Sequence, residues 1–152
     1  MAENTVVTNT GQQAHVTTDT SRIFLYENRY ETDSYVNNSG YNPITLLAGT
    51  VMGRVSATGV LVPWQKGSSD GSQTVVGILA QDLVIDAGAT VNAAVCIYGD
   101  VNESKVLFYN SAATGASLET VDNGRRMRDR IKGDTSGIRL IVSNEMTGLD
   151  NQ

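Results

Sequence analysis

The chain has 152 residues, of which 40% are hydrophobic and 18% charged, with a formal net charge of −5. That length suffices for one domain with its own core and needs no disulfide or metal staple, while the acidic balance argues against a nucleic-acid partner, which selects for a basic surplus. Low charge together with 15 glycines and many Thr, Asn and Ser favours short strands and turns over helix.

The opening residues, MAENTVVTNTGQQ, carry neither a basic nor an apolar stretch of the kind a secretory leader needs, so residence in a cytosol is expected. No apolar run approaches the roughly 20 residues that cross a bilayer, so no membrane partner is expected. Residues 1–42 are polar, yet they hold five of the nine aromatic residues: Phe24, Tyr26, Tyr30, Tyr35 and Tyr41. Two readings stay open here. The rings pack back onto the domain, or residues 1–42 form an extended arm whose rings fill pockets on a partner, since Tyr buries much area and keeps a hydrogen-bonding tip. Ser21–Tyr26 is β-prone and suited to adding to a neighbour's sheet edge. Residues 1–20 are expected to be mobile when unbound.

From residue 43 a string of short strands is predicted, with turn residues every 8–12 positions, the pattern of an all-β barrel-like module. The strands are Ile44–Leu47, Thr50–Val55, Val60–Val62 ending at Pro63, Thr74–Ala80, Leu83–Ile85, Thr90–Tyr98, Val101–Ser104 and Val106–Tyr109. Ala48-Gly49, Thr58-Gly59, Ser68–Ser72, Ala87-Gly88 and Gly99-Asp100 separate them. Trp64, just after Pro63, either caps the core or anchors a contact with another chain. A helix is predicted between Leu118 and Lys132, starting near Asp122 or Asn123 as N-cap and stopping at Gly133. A last strand is predicted over Gly137–Val142, with a frayed tail over 143–152.

Five of the eleven basic residues, Arg125, Arg126, Arg128, Arg130 and Lys132, fall on that helix. They form either a solvated face, neutralised by Glu119, Asp122, Asp129 and Asp134, or a set of ion pairs toward another chain. The lone histidine, His15, has no fixed Ser or Asp partner, so no catalytic residue is assigned. The lone cysteine, Cys96, lies in the apolar run Val95-Cys96-Ile97 and reads as a buried small hydrophobe. One His and one Cys build no zinc site, the acids lack calcium-loop spacing, and no phosphate loop is present, so no metal and no cofactor are expected.

Five phrases in order resemble the head decoration proteins of tailed bacteriophages, the lambda type. They are Leu46–Val55 (LLAGTVMGRV), Thr58–Pro63 (TGVLVP), Asp70–Ala80 (DGSQTVVGILA), Gly99–Val106 (GDVNESKV) and Gly137–Leu140 (GIRL). The resemblance covers about residues 44–142; the long N-terminal segment and the basic helix depart from it. It implies a mostly β fold with one short helix, a small barrel- or tulip-like module over 43–152, carrying an N-terminal arm over 1–42. It further implies a virion protein on the outer capsid surface, assembled in the host cytoplasm, whose partners are the major capsid protein and two further copies of itself. Its role would be to stabilise the expanded shell against packaged DNA, with no enzyme activity and no cofactor. On that reading Ile23, Phe24, Leu25, Tyr26, Tyr30 and Tyr35 are arm contacts to the capsid, and Trp64, Arg125, Arg126 and Arg128 are trimer or capsid contacts. Two alternatives remain: another trimeric virion part such as a tail or fibre module, and a small trimeric nucleotide hydrolase of the dUTPase kind, to which Ile85-Asp86-Ala87-Gly88 bears a faint likeness.

Overall fold

The computed structural model describes residues 22–37, 42–135 and 137–142. Tyr41, His15, the stretch 1–20 and the tail 143–152 therefore lie outside the described residues. Ten strands are present among the described residues: β1 Arg29–Val36, β2 Ile44–Leu46, β3 Val51–Arg54, β4 Leu61–Pro63, β5 Val75–Leu79, β6 Leu83–Ile85, β7 Thr90–Asn102, β8 Val121–Asp122, β9 Arg125–Arg126 and β10 Ile138–Ile141. Two helices, α1 Ser111–Thr114 and α2 Met127–Asp134, and a 3-10 turn over Glu103–Lys105 complete the described elements. The fold is mostly β, as expected, but with two helices where one was predicted.

Strands β1, β4, β3, β5 and β7 pair in that order, and β7 pairs again with β1, closing a five-stranded barrel. β10 flanks β7 outside the ring, running parallel to it from Ile138 opposite Gly99 to Ile141 opposite Asn102. β2 and β6 form a separate two-stranded lid. The inward side chains follow the period of two that strand geometry imposes. One cluster, including Tyr35, Leu46, Met52, Leu61, Leu79, Ile85 and Val95, lies within the barrel and under the lid. The other joins Val51, Trp64, Val75, Ile78, Cys96, Val101 and Phe108 to Met127, Ile131 and Ile138, packing α2 against β5 and β10. Cys96 is fully buried there, and burial pushes its thiol above the ordinary range.

Four expectations are corrected. Gly99-Asp100 is not a turn, and Val101–Ser104 is not a strand of its own: β7 runs through Gly99-Asp100 and ends at Asn102, with Gly99 at φ +111°, and Glu103 and Ser104 belong to the 3-10 turn. A glycine in that conformation bends a strand without ending it. Val106–Tyr109 is not a strand either; Leu107 makes a single bridge to Thr50 before the chain turns into α1. The predicted helix from Leu118 to Lys132 shrinks to Met127–Asp134, because Val121–Arg126 forms the hairpin β8–β9. Its two turn residues, Asn123 and Gly124, both have positive φ (51° and 78°), the conformation for which Asn-Gly is the preferred sequence. The helix passes through Gly133 and stops one residue later, where the Thr135 amide donates to the Ile131 carbonyl.

The fourth correction concerns the N-terminal segment, where the polar run Arg29–Val36 is a strand rather than part of a free arm. β1 pairs antiparallel with β7 from Arg29 opposite Tyr98 to Val36 opposite Thr90. Upstream the ladder continues: the Asn102 amide donates to the Ile23 carbonyl, Leu25 donates to Asp100, and Asp100 donates to Tyr26. Residues 23–36 thus lie along β7 for its whole length.

Gly99 is where this zipper is tightest. A Cβ there would sit 2.7 Å from the Tyr26 carbonyl oxygen and 2.8 Å from the Asn28 Cα. Gly99→Ala is expected to cost about 1–3 kcal/mol through backbone strain and contact. Hydrogen exchange should quicken first at the Leu25 and Asp100 amides; a variant with unchanged midpoint and unchanged exchange there would contradict this account of the zipper.

Candidate interaction surface

The segment 22–36 sorts its side chains by the alternation of the ladder. Leu25 and Tyr35 are buried, and Ile23 and Phe24 are half-buried against the core. Tyr26 and Tyr30 remain about half exposed. Phe24 meets Tyr30 edge to face, with centroids 5.7 Å apart and planes at 78°, a favoured arrangement that fixes the Tyr30 ring. Burial and the neighbouring Cys96 raise the Tyr30 phenol above its ordinary pKa, so it stays a neutral hydroxyl. Of the six residues read as arm contacts, Leu25 and Tyr35 pack back onto the domain, and only Tyr26 and Tyr30 present large free faces.

Polar contacts strap this segment down. Asn28 donates through Nδ2 to the Asp100 carbonyl at 3.1 Å. Arg139 on β10 reaches across β7, with Nε 2.5 Å from Asp100 Oδ1 and a second nitrogen 3.3 Å from Glu27 Oε2. Glu27 itself has φ +55°, which lets the chain jog between the upstream bridge and β1. Arg29 lies over the Tyr98 ring at 5.0 Å.

Trp64 is buried and packs edge to face on Phe108 at 5.7 Å. Its indole Nε1 donates to the Gln73 carbonyl at 2.8 Å. The Arg130 guanidinium donates to the same carbonyl at 2.7 Å and to Asp122 Oδ2 at 2.8 Å. Asp122 also accepts from the Gly67 amide. The ring therefore serves the core, and its outer edge lines a 270 Å³ cavity shared with Lys66, Tyr109, Asn110, Thr114 and Ala116.

The basic cluster divides. Arg125 and Arg126 stand on β9, not on the helix, and both are exposed. Arg130 is not on a solvated face; it is buried with Asp122, both side chains being 10% exposed or less. Arg128 bridges Glu103 at 2.9 Å and Glu119 at 2.6 Å, and these carboxylates, Glu103 first, hold its pKa above the ordinary value. Arg126 also reaches Glu119, and Arg125 reaches Asp134 at 3.6 Å. Every arginine of the cluster thus has an acid within its own chain.

Sequence reasoning missed several exposed apolar side chains: Leu47 and Val84 on the lid, Leu107 and Tyr109 ahead of α1, and Val121 on β8. All but Val121 sit in apolar runs, and nothing in those runs marks which members face out. Ile85–Gly88 is the buried end of β6 followed by an exposed turn. No group of three or more His, Cys, Asp or Glu able to hold a metal occurs among the described residues. Nor is any helix among them long and apolar enough to cross a membrane.

The sequence model of a family described as "Bacteriophage lambda head decoration protein D" matches residues 13–125. The matched stretch takes in part of the N-terminal segment, and it ends before α2 and the Gly137–Leu140 phrase. No curated protein matches the chain.

The two kinds of ion pair should behave differently. Asp122→Asn leaves Arg130 charged and buried, and is expected to cost about 3–5 kcal/mol. Arg126→Ala removes only an exposed pair and should stay within about 0.5 kcal/mol of the parent. Urea titrations of both variants check this, and equal losses would remove the distinction.

Proposed function

The chain belongs to the bacteriophage lambda head decoration protein D family, and from that premise we propose how it decorates a phage capsid: as a cement that binds the outer surface of the head as trimers and stabilises the expanded shell against packaged DNA. The observation that carries the reading is the family match across residues 13–125. Its partners on this reading are the major capsid protein and further copies of the chain, and its action is non-catalytic.

The contact surface we assign to the capsid centres on Tyr26 and Tyr30, held by Phe24, together with residues 1–21 as the arm. Tyr is favoured in interfaces because one end is apolar and the other hydrogen-bonds. Their main chain is already ordered by the pairing of residues 23–36 with β7, and the Tyr30 ring is held against Phe24, so less freedom is lost on docking. The exposed arginines 125 and 126, and the outer edge of Trp64 beside Tyr109, are assigned to contacts between copies or with the shell. Because Arg128 already serves two acids of its own chain, it would enter such a contact only as part of that network.

Three arms in one trimer act together, so avidity can exceed the affinity of one arm by about 10²–10⁴. A ligand that binds only the expanded state shifts the shell toward that state by mass action.

The arm and the rings can be tested separately on expanded heads stripped of decoration. Removing residues 1–21 is expected to leave the thermal midpoint unchanged and to abolish head binding. Tyr26→Ala with Tyr30→Ala should weaken binding by about 2 kcal/mol or more, some thirtyfold, while the fold survives. Sedimentation should give the mass of three chains, and decorated heads should retain DNA at higher temperature than bare ones. A full-length protein that ignores heads and instead binds tails would overturn the reading in favour of a tail or fibre module.

A further inference from the structure

The barrel closes unevenly. β1 pairs with β7 throughout, but with β4 at one position only, Tyr35 opposite Leu61. The direction of its remaining main-chain groups follows from the neighbouring ladder. The Ala80 amide donates to the Ala94 carbonyl, so Ala94 turns its polar groups toward β5 and away from Thr32, its partner in β1. In an antiparallel ladder such positions alternate, so Thr32 and Tyr30 both turn their amides and carbonyls to the β4 side. There β4 has already given way to the loop joining it to β3, and neither residue has a partner among the described residues. The Ser34 amide, next along the edge, is already taken by the Asp33 carboxylate at 2.8 Å.

The same gap opens on a cavity of about 490 Å³ lined by Glu31, Asp33, Arg54, Leu61, Val75 and Val95 among others. The cavity is open to solvent on one side, and its volume is in the range of ligand sites. Its floor is apolar. On its wall Arg54 pairs with Asp33 across the gap, yet its buried Nε has no acceptor. Glu31 has no cationic partner among the described residues.

We propose that this seam is a strand-insertion site for an extended segment of the shell protein, one that carries an apolar residue followed at alternate spacing by Lys or Arg. This rests on the capsid reading above and names a second contact within it. The segment pairs its main chain with Tyr30 and Thr32, the mode of strand addition to an open sheet edge. Its apolar side chain fills the space over Leu61, Val75 and Val95. One of its carbonyls meets Arg54 Nε, and its cation meets Glu31. The charge at the cleft bears on the occupant: Asp33 is matched by Arg54 and Asp134 by Arg125, and Arg29, which also lines the cavity, lies over the Tyr98 ring, so the Glu31 carboxylate is the acid on this wall with no ion pair of its own among the described residues and is open to a base from outside.

Two substitutions and a cross-link test it on the full chain. Thr32→Pro removes an amide that the fold does not use, at an edge position where proline is tolerated. Glu31→Lys reverses the charge. Each is expected to keep the parent's midpoint and to weaken binding to stripped expanded heads about tenfold, the worth of a main-chain or charged hydrogen bond. Glu31→Gln should lose less than Glu31→Lys. Thr32→Cys bearing a photo-cross-linker should, on decorated heads, join to a segment of the shell protein with that alternation. If both substitutions fold and decorate heads like the parent, the seam is not a contact while the capsid reading stands. If the cross-link joins a second copy of this chain, or a segment without a base, the assignment of the occupant is overturned. A parent protein that fails to bind heads removes the capsid reading itself.

Discussion

A thirteen-residue strand buried in the middle of a sheet has main-chain donors and acceptors on both edges, and leaving them unpaired inside the protein is costly. β7 is such a strand. One edge is served by β5 near Val95 and Cys96, then by β10 from Gly99 onward. The other edge is served along its whole length by residues 23–36. Most of the fold follows from that demand: the barrel closes around the first half of β7, and α2 brings β10 back beside the second half. The N-terminal segment is fixed as a strand although its own sequence is polar.

That origin explains what could be read in the sequence and what could not. Strands bounded by turn residues and carrying inward Val, Ile and Leu were legible, so β2, β3, β5 and β6 fall within a residue or two of expectation. β1 was not, because RYETDSYV has one fully buried side chain, Tyr35; its strand character is imposed by β7 rather than by local preference. The break expected at Gly99 failed for a related reason, since the strand needs that glycine to pass close to Tyr26 and Asn28. The misplaced helix start was avoidable: Asn123-Gly124 is a strong hairpin signal, outweighed wrongly by the apolar spacing of Leu118, Val121 and Met127. For the surface, the aromatic density of 24–41 pointed to the right segment. Which rings face out depends on register, and register was set by a partner fifty or more residues away.

The electrostatics narrow the ways this chain can bind. A cluster of five bases invites a reading as an adhesive patch, but its arginines are each answered within the chain, and Arg130 is part of the interior. There it joins α2 to β8 and, through the shared Gln73 carbonyl, to Trp64. Breaking such internal pairs to make external ones returns little, because exposed pairs contribute only about 0–1 kcal/mol. Asp70 shows the same inward economy. Its carboxylate is held down to about 2 by hydrogen bonds from Ser68 and Ser72, and it shapes the turn before β5 rather than facing a ligand. Apolar and main-chain groups, not charge, are left as the chief means of attachment.

This has a consequence for how strongly one molecule must hold. Association costs translational and rotational freedom, and further ordering of loops and side chains adds to that cost. On the capsid-binding reading, Tyr26, Tyr30 and the main-chain groups of Tyr30 and Thr32 are carried on a segment already ordered by β7 and strapped by Arg139, so little of that second cost falls on them. On that reading the rigid edge would supply register and residues 1–21 would supply reach. Over a shell with many equivalent positions, modest contacts of this kind sum, so on the capsid-binding reading a small barrel is sufficient for the task.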